Sequence, residues 1–163
     1  ETSDTKTAAK STPETTTNVP ETTSRVCLVD ADVAPLTNGT AESYSTDTYT
    51  HFTIETYFFK PDSSEYEYPD QTAEQIGLMK TFYQAQGTKL FTVYLQGKVK
   101  ESNSTASGVQ LAHDRVAKVK NSLVAAGFPD NRFVEEDPIS GSSYADGSER
   151  NVDLYIRTPI PCI

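Results

Sequence analysis

The chain has 163 residues, 36% of them apolar and 10% aromatic, which supports one modest core and leaves part of the chain outside it. Its 23 acidic and 14 basic side chains give a net charge of −9, which repels a phosphate backbone or an anionic lipid surface and argues against nucleic-acid binding. No apolar run approaches the ~18–20 residues needed to span a bilayer. Because the first residue is Glu1 and not Met, an upstream segment, a membrane anchor or a signal peptide, is expected to be missing from this sequence.

Residues 1–25 form the first expected unit. From Glu1 to Ser24 there are nine Thr, two Pro and no aromatic residue, so this stretch lacks the apolar area to offset its ordering entropy. It reads as a disordered linker, its ends about 25–30 Å apart on average, and suits a tether between an anchor and a folded head. The folded unit is expected over residues 26–163. Cys27 opens it and Cys162 nearly closes it, and neither has a Cys or His at metal-ligand spacing. A disulfide joining the two ends is the economical reading and implies an oxidising compartment, with two separate buried thiols as the alternative.

The apolar run Val26–Val33 is a candidate first strand, and Asn38–Thr48 reads as a loop. Tyr49–Phe59 is β-branched and aromatic and predicts a strand, with Phe52, Ile54 and Thr56 on one face and Thr53, Glu55 and Tyr57 on the other. After the acidic turn Pro61–Asp70, Thr72 and Gln75 have capping-box spacing. Ala73, Ile76, Met79, Phe82 and Tyr83 then predict a helix that ends at Gly87. Lys89–Gln96 predicts a strand burying Phe91, Val93 and Leu95, and Gly97–Ser107 is polar and irregular. A second helix is expected from about Thr105 to Ala126, burying Val109, Ala112, Val116, Val119 and Leu123 and ending at Gly127. Asn151–Arg157 alternates Val152, Leu154 and Ile156 with polar residues and predicts a closing strand. The sum is a two-layer α/β (α+β) sandwich, βαβαβ, with the helices on one face of a mixed sheet and an N-terminal extension.

Nothing in the sequence assembles a catalytic centre, so no enzyme and no cofactor is expected. His51 and His113 are the only histidines, and there is no G-x-S-x-G, no H-E-x-x-H and no Cys–His pairing. His113 reads as a solvated helix histidine. The cluster Asp62, Glu65, Glu67 and Asp70 lacks the Gly and spacing of a calcium loop and reads as a solvated acidic turn, so no metal is expected.

Four local patterns, in this order, resemble the OmpA/MotB-like peptidoglycan-associating domain over roughly Tyr49–Thr158. Phe58-Phe59-Lys60-Pro61-Asp62-Ser63-Ser64 is similar to the end of that family's first strand and its acidic turn. Gly97-Lys98-Val99-Lys100 lies where the family has Gly-x-Thr-Asp. Gly108-Val109-Gln110-Leu111-Ala112-His113-Asp114-Arg115-Val116 resembles Asn-x-x-Leu-Ser-x-x-Arg-Ala, with Arg115 fifteen residues after Lys100. Arg150-Asn151-Val152-Asp153-Leu154 resembles the closing Arg-Arg-Val-Glu-Ile.

The resemblance implies that Arg115 binds the carboxylate of diaminopimelate in a peptidoglycan stem peptide, since a planar fork suits a carboxylate bidentately. The family's Asp, which takes the ammonium, is replaced by Lys100. Asp62 is the preferred substitute and Glu101 the other. Val99, Leu111 and Arg150 complete the expected pocket, while Tyr144 and Tyr155 could stack on sugar or peptide. A MotB-like domain with a linker further implies a periplasmic head tethered to the inner membrane. Its subunit would be stator-like, as in accessory subunits of secretion systems, and pair with a second inner-membrane channel-type subunit, and the resemblance also allows a homodimer. The alternative is a domain that kept the fold, lost wall binding and serves protein docking.

Overall fold

A computed structural model describes residues 26–37, 42–100, 106–141 and 150–162. The expected linker, Glu101 and Tyr144 lie outside the described residues. Helix α1 (Asp30–Val33) runs into a 3-10 turn, Ala34–Leu36. Strands β1 (Glu42–Ser45) and β2 (Tyr49–Phe58), helix α2 (Pro69–Gln86), strand β3 (Thr92–Lys100) and helix α3 (Ala106–Ala125) follow. A 3-10 turn, Asp130–Arg132, then leads into β4 (Phe133–Gly141) and β5 (Asn151–Pro159). One mixed sheet is ordered β1-β2-β5-β3-β4; β3 and β4 are parallel and the other neighbours antiparallel.

This is the two-layer α+β arrangement that the alternating strands and amphipathic helices predict. Val93, Leu95, Val152, Leu154 and Ile156 are fully buried, in one cluster with Met79 of α2 and Val116, Val119 and Leu123 of α3. Each such side chain contributes roughly 1.5–3 kcal/mol relative to an exposed one. The two ends of the domain are joined by a Cys27–Cys162 disulfide, with Cα atoms 5.6 Å apart.

Several elements differ from expectation, each for a local reason. Val26–Val33 is not a strand: Cys27 makes one parallel bridge to Leu90, and the chain then turns helical. The Asp32 carboxylate accepts the Val29 N–H at 2.9 Å, and Pro35 favours the following 3-10 turn. The loop expected over Asn38–Thr48 contains β1, an edge strand whose four side chains are all exposed and which therefore carries no burial signal. Helix α2 starts at Pro69, where a missing N–H costs nothing. Thr72 is consequently buried within the helix and Gln75 donates to the Thr56 carbonyl at 3.2 Å, so neither caps. Ala73 is exposed.

Strand β3 continues through Gly97 to Lys100, where an irregular segment was expected, and β4 was not expected at all. Its sequence, FVEEDPISG, carries three acids and a proline, tolerable because β4 lies at the sheet edge and pairs only with β3. In β2, Thr53 pairs with Tyr155 but Glu55 pairs with Leu154, so Ile54 is an extra residue. This bulge reverses the parity of the strand. Phe52, Glu55 and Tyr57 therefore share the helix-covered side, against the strict alternation read from the sequence.

Gly97 shows how tightly α3 lies on β3, since a Cβ there would stand 3.0 Å from both the Cβ and the carbonyl oxygen of Ala112. Gly97→Ala is expected to destabilise the fold by about 1–3 kcal/mol through overpacking, seen as a lowered thermal midpoint; an unchanged midpoint would mean the helix can shift at no cost. Gly127, which ends α3 as expected, has φ +118°, a conformation that glycine adopts without strain.

Candidate functional site

The site lies where β2 and β3 end and β5 begins. Phe59 organises it: its N–H donates to the Arg150 carbonyl at 2.7 Å, and its own carbonyl accepts from Arg150 Nε at 3.1 Å. Beyond Phe59 the chain reverses through Lys60–Glu65. The reversal is closed by Lys60 N–H to the Glu65 carbonyl and Glu67 N–H to the Phe58 carbonyl, each at 2.9 Å. Asp62 takes the left-handed backbone conformation, φ 52°, which the tight turn requires and which Asp tolerates better than most residues. Its side chain is exposed.

Helix α3 supplies the cation. Arg115 follows Ala112 by three residues and precedes Val119 by four, which puts it on the buried stripe, and it is only 3% exposed. Its Nε donates to the Ser63 carbonyl at 2.8 Å, its Nη2 donates to the Lys60 carbonyl at 3.1 Å, and its guanidinium lies 5.6 Å from the Phe59 ring centre. Buried charge is tolerable when donors of this kind are satisfied. Tyr66 fastens the same loop a second time, its hydroxyl 2.8 Å from Ser122 Oγ while Lys118 sits over its ring at 5.6 Å.

The structure thus brings Arg115, Arg150 and the backbone flanking Asp62 together around Phe59. Leu111 is half-buried one turn before Arg115, and Val99 is buried two residues beyond the Gly97–Ala112 contact. Lys100 is the last residue of β3, its backbone paired with Gly141. Cys27 bridges to Leu90, and Leu28 N–H donates to Thr158 Oγ1, so the disulfide sits at the opposite end of the sheet. His113 keeps the solvent exposure expected of it but also has a partner. It is half-exposed, and its Nδ1 meets the Glu135 carboxylate on β4, a strand that the sequence reading lacked.

Two polar groups near this region had no signal in the sequence. Glu55, turned inward by the bulge, accepts a hydrogen bond from the Tyr57 hydroxyl. Burial pushes its carboxyl up to about 7, only partly offset by that bond, and burial raises the Tyr57 phenol well above its ordinary range. Asn151, beside Arg150, is 2% exposed, and its Oδ1 meets no donor among the described residues. A buried orphan acceptor of that kind costs about 1–3 kcal/mol.

No protein-family model matches the chain, and no curated protein matches its sequence. Solved structures do match its fold. The periplasmic domain of Helicobacter pylori MotB superposes with a TM-score of 0.53 at 14% identity, covering 74% of this chain and 80% of that one. The OmpA-like domain of FopA1 from Francisella tularensis gives 0.51 at 13% identity, covering 76% and 82%. The peptidoglycan-associated lipoprotein from Burkholderia pseudomallei gives 0.50 at 18% identity, covering 62% and 88%. At such identities the likeness establishes the fold, and that fold is the one shared by OmpA-like and MotB-like domains.

Proposed function

We propose that this domain binds peptidoglycan non-covalently and anchors an inner-membrane, MotB-like subunit to the cell wall. The observation that carries the reading is Arg115. It lies at the place in α3 where the sequence resembles the family's ligand-binding arginine, and two carbonyls of the Asp62 loop hold its guanidinium in a fixed plane. A pre-oriented fork binds a carboxylate with less entropy lost on association. In this assignment Arg115 takes the diaminopimelate carboxylate, Asp62 takes the ammonium in place of the residue found as Lys100, and Arg150 supports the loop from beneath. Arg115 is buried beneath the Lys60–Glu65 loop, so a stem peptide reaches its guanidinium at the edge of that loop.

The rest of the reading follows from the resemblance. The printed descriptions of the similar structures, a peptidoglycan-associated lipoprotein and periplasmic MotB domains, support a periplasmic, wall-associated role. The disulfide is consistent with that compartment. Residues 1–25 would serve as the tether to an upstream transmembrane helix, through which a second channel-type subunit would pair. The sequence also resembles the periplasmic part of SiiA, a MotB-like accessory subunit of a type I secretion system, and a homodimer accords with a stator-like arrangement.

One observation favours a second reading. The same two carbonyls that orient Arg115 also give it a purely structural task, fastening the loop to α3. A domain that kept this fastening and lost the wall ligand would serve protein docking. Co-sedimentation separates the two. The chain is expected to pellet with diaminopimelate-type sacculi and to stay in solution with lysine-type sacculi, whose stem peptide lacks the carboxylate assigned to Arg115. Equal pelleting with both would exclude that contact, and pelleting with neither would leave the docking module.

A further inference from the structure

At the other end of the sheet, on the face turned away from the helices, five aromatic rings gather around one cation. Tyr44 of β1 stacks on His51 of β2 at 4.5 Å, His51 lies 4.6 Å from Tyr155 of β5, and Tyr155 stacks on Tyr94 of β3 at 5.2 Å and 1°. Over this row lies Arg157, its guanidinium 4.2 Å from the Tyr49 ring centre, 4.8 Å from that of Tyr94 and 5.1 Å from that of Tyr155. Its Nε donates to His51 Nδ1 at 3.3 Å. Burial, and secondarily Arg157 itself, lower the His51 pKa, which keeps the ring neutral and able to accept that bond; the other ring nitrogen faces Thr53 Oγ1 at 3.3 Å.

The cluster borders a cavity of about 440 Å³, within the size range of small-ligand sites. Tyr49, Tyr94 and Arg157 form one wall, with Thr48, Thr92 and Pro159 around them. Arg157 keeps aromatic and neutral company, as Arg132 does over Phe91 and Tyr83, whereas three lysines pair with acids. Lys89 pairs with Asp32 at 3.0 Å, Lys98 with Asp153 at 3.3 Å and Lys120 with Asp130 at 3.1 Å, as suits a chain with 23 acids and 14 bases. Among the described residues no carboxylate pairs with Arg157; its Nε partner is the neutral His51 ring. Three rings surround the guanidinium, and it lines the cavity.

We propose that the Arg157 cavity binds a carboxylate carried on a small apolar or peptide-like body, in which Arg157 takes the anion and Tyr49 and Tyr94 contact the body. The proposal is independent of the Arg115 reading, because the two sites lie at opposite ends of the sheet. It uses two properties of the geometry: a guanidinium already stacked loses little freedom on binding an anion, and tyrosine rings offer wide apolar contact at low entropic cost.

The test is a titration of the full, isotope-labelled chain with N-acetylalanine and, separately, with N-acetylalaninamide, which keeps the body and removes the charge. The expected result is saturable shifts of the Tyr49, Thr92, Tyr94 and Arg157 amides with N-acetylalanine, with a dissociation constant on the order of 1 mM. Weakening by about tenfold or more is expected with the amide or in Arg157→Gln, and a smaller loss in Arg157→Lys, which keeps the charge and guards against misfolding. Equal response to acid and amide, undiminished binding by Arg157→Gln, absence of saturable shifts, or shifts centred on Ser63 and Arg115 instead would each overturn the proposal.

Discussion

Replacing Cys27 and Cys162 by serine is expected to lower the unfolding free energy by about 5 kcal/mol, the chain-entropy value for closing so long a loop. The bridge spans 135 residues, nearly the whole folded unit, so it constrains the unfolded chain about as strongly as one cross-link can. Its loss also acts locally. Leu28, Val33 and Leu36 are buried in the main core, and the segment that carries them is also tied down by Cys27, the Leu90 N–H to Val26 carbonyl bond at 2.5 Å, the Leu28 N–H to Thr158 Oγ1 bond at 3.2 Å and the Lys89–Asp32 pair at 3.0 Å. Against a typical total stability of about 5–15 kcal/mol, such a loss brings the domain close to its unfolding threshold. Urea unfolding of the two chains checks this. A large fall in midpoint at similar slope is expected, and coincident curves would show that the bridge adds nothing.

The second large effect concerns pH. Glu55 has its carboxyl pushed from 4.5 up to about 7 in the folded state, first by burial. Below the unfolded value both states hold the proton and the contribution of Glu55 to stability is fully present. As pH rises the unfolded chain releases its proton first, so stability declines between about pH 4.5 and 7, by a total of about 3 kcal/mol. Paired surface acids act in the opposite direction, so the comparison must be with Glu55→Gln, which retains the shape and cannot ionise. The variant is expected to match the native chain in acid and to become relatively more stable towards neutral pH. A difference between the two chains that did not vary with pH would place Glu55 in water.

How much of this was legible depended on whether a residue's burial follows a simple period. The buried stripe of α3 and the core sides of β3 and β5 recur at 3.6 or 2 residues, so Val116, Val119, Val93, Leu95 and Leu154 could be placed from the sequence. Strand β1 has no buried side chain, β4 mixes acids and a proline at an edge, and the bulge at Ile54 shifts the parity of β2. None of these leaves a periodic trace. The spacing of Arg115 from Ala112 and Val119 places it on the buried stripe of α3, but only the local pattern around it singled it out as a ligand residue. Its carbonyl partners could not be inferred, since backbone groups carry no sequence signal. The Arg157 cluster was invisible for the same kind of reason: Tyr44, His51, Tyr94 and Tyr155 lie on four strands and meet only through the register.

The central claim is that Arg115 grips the wall, and co-sedimentation of Arg115→Lys and Arg115→Ala with diaminopimelate-type sacculi tests it most directly. Unfolding midpoints of both variants would be measured alongside. Lysine keeps the charge but not the fork, so the account predicts that Arg115→Lys, still folded, loses most of its pelleting, and that Arg115→Ala loses all of it. A folded Arg115→Ala chain that pellets like the native one would contradict the account and leave Arg115 as the fastening of the Asp62 loop alone.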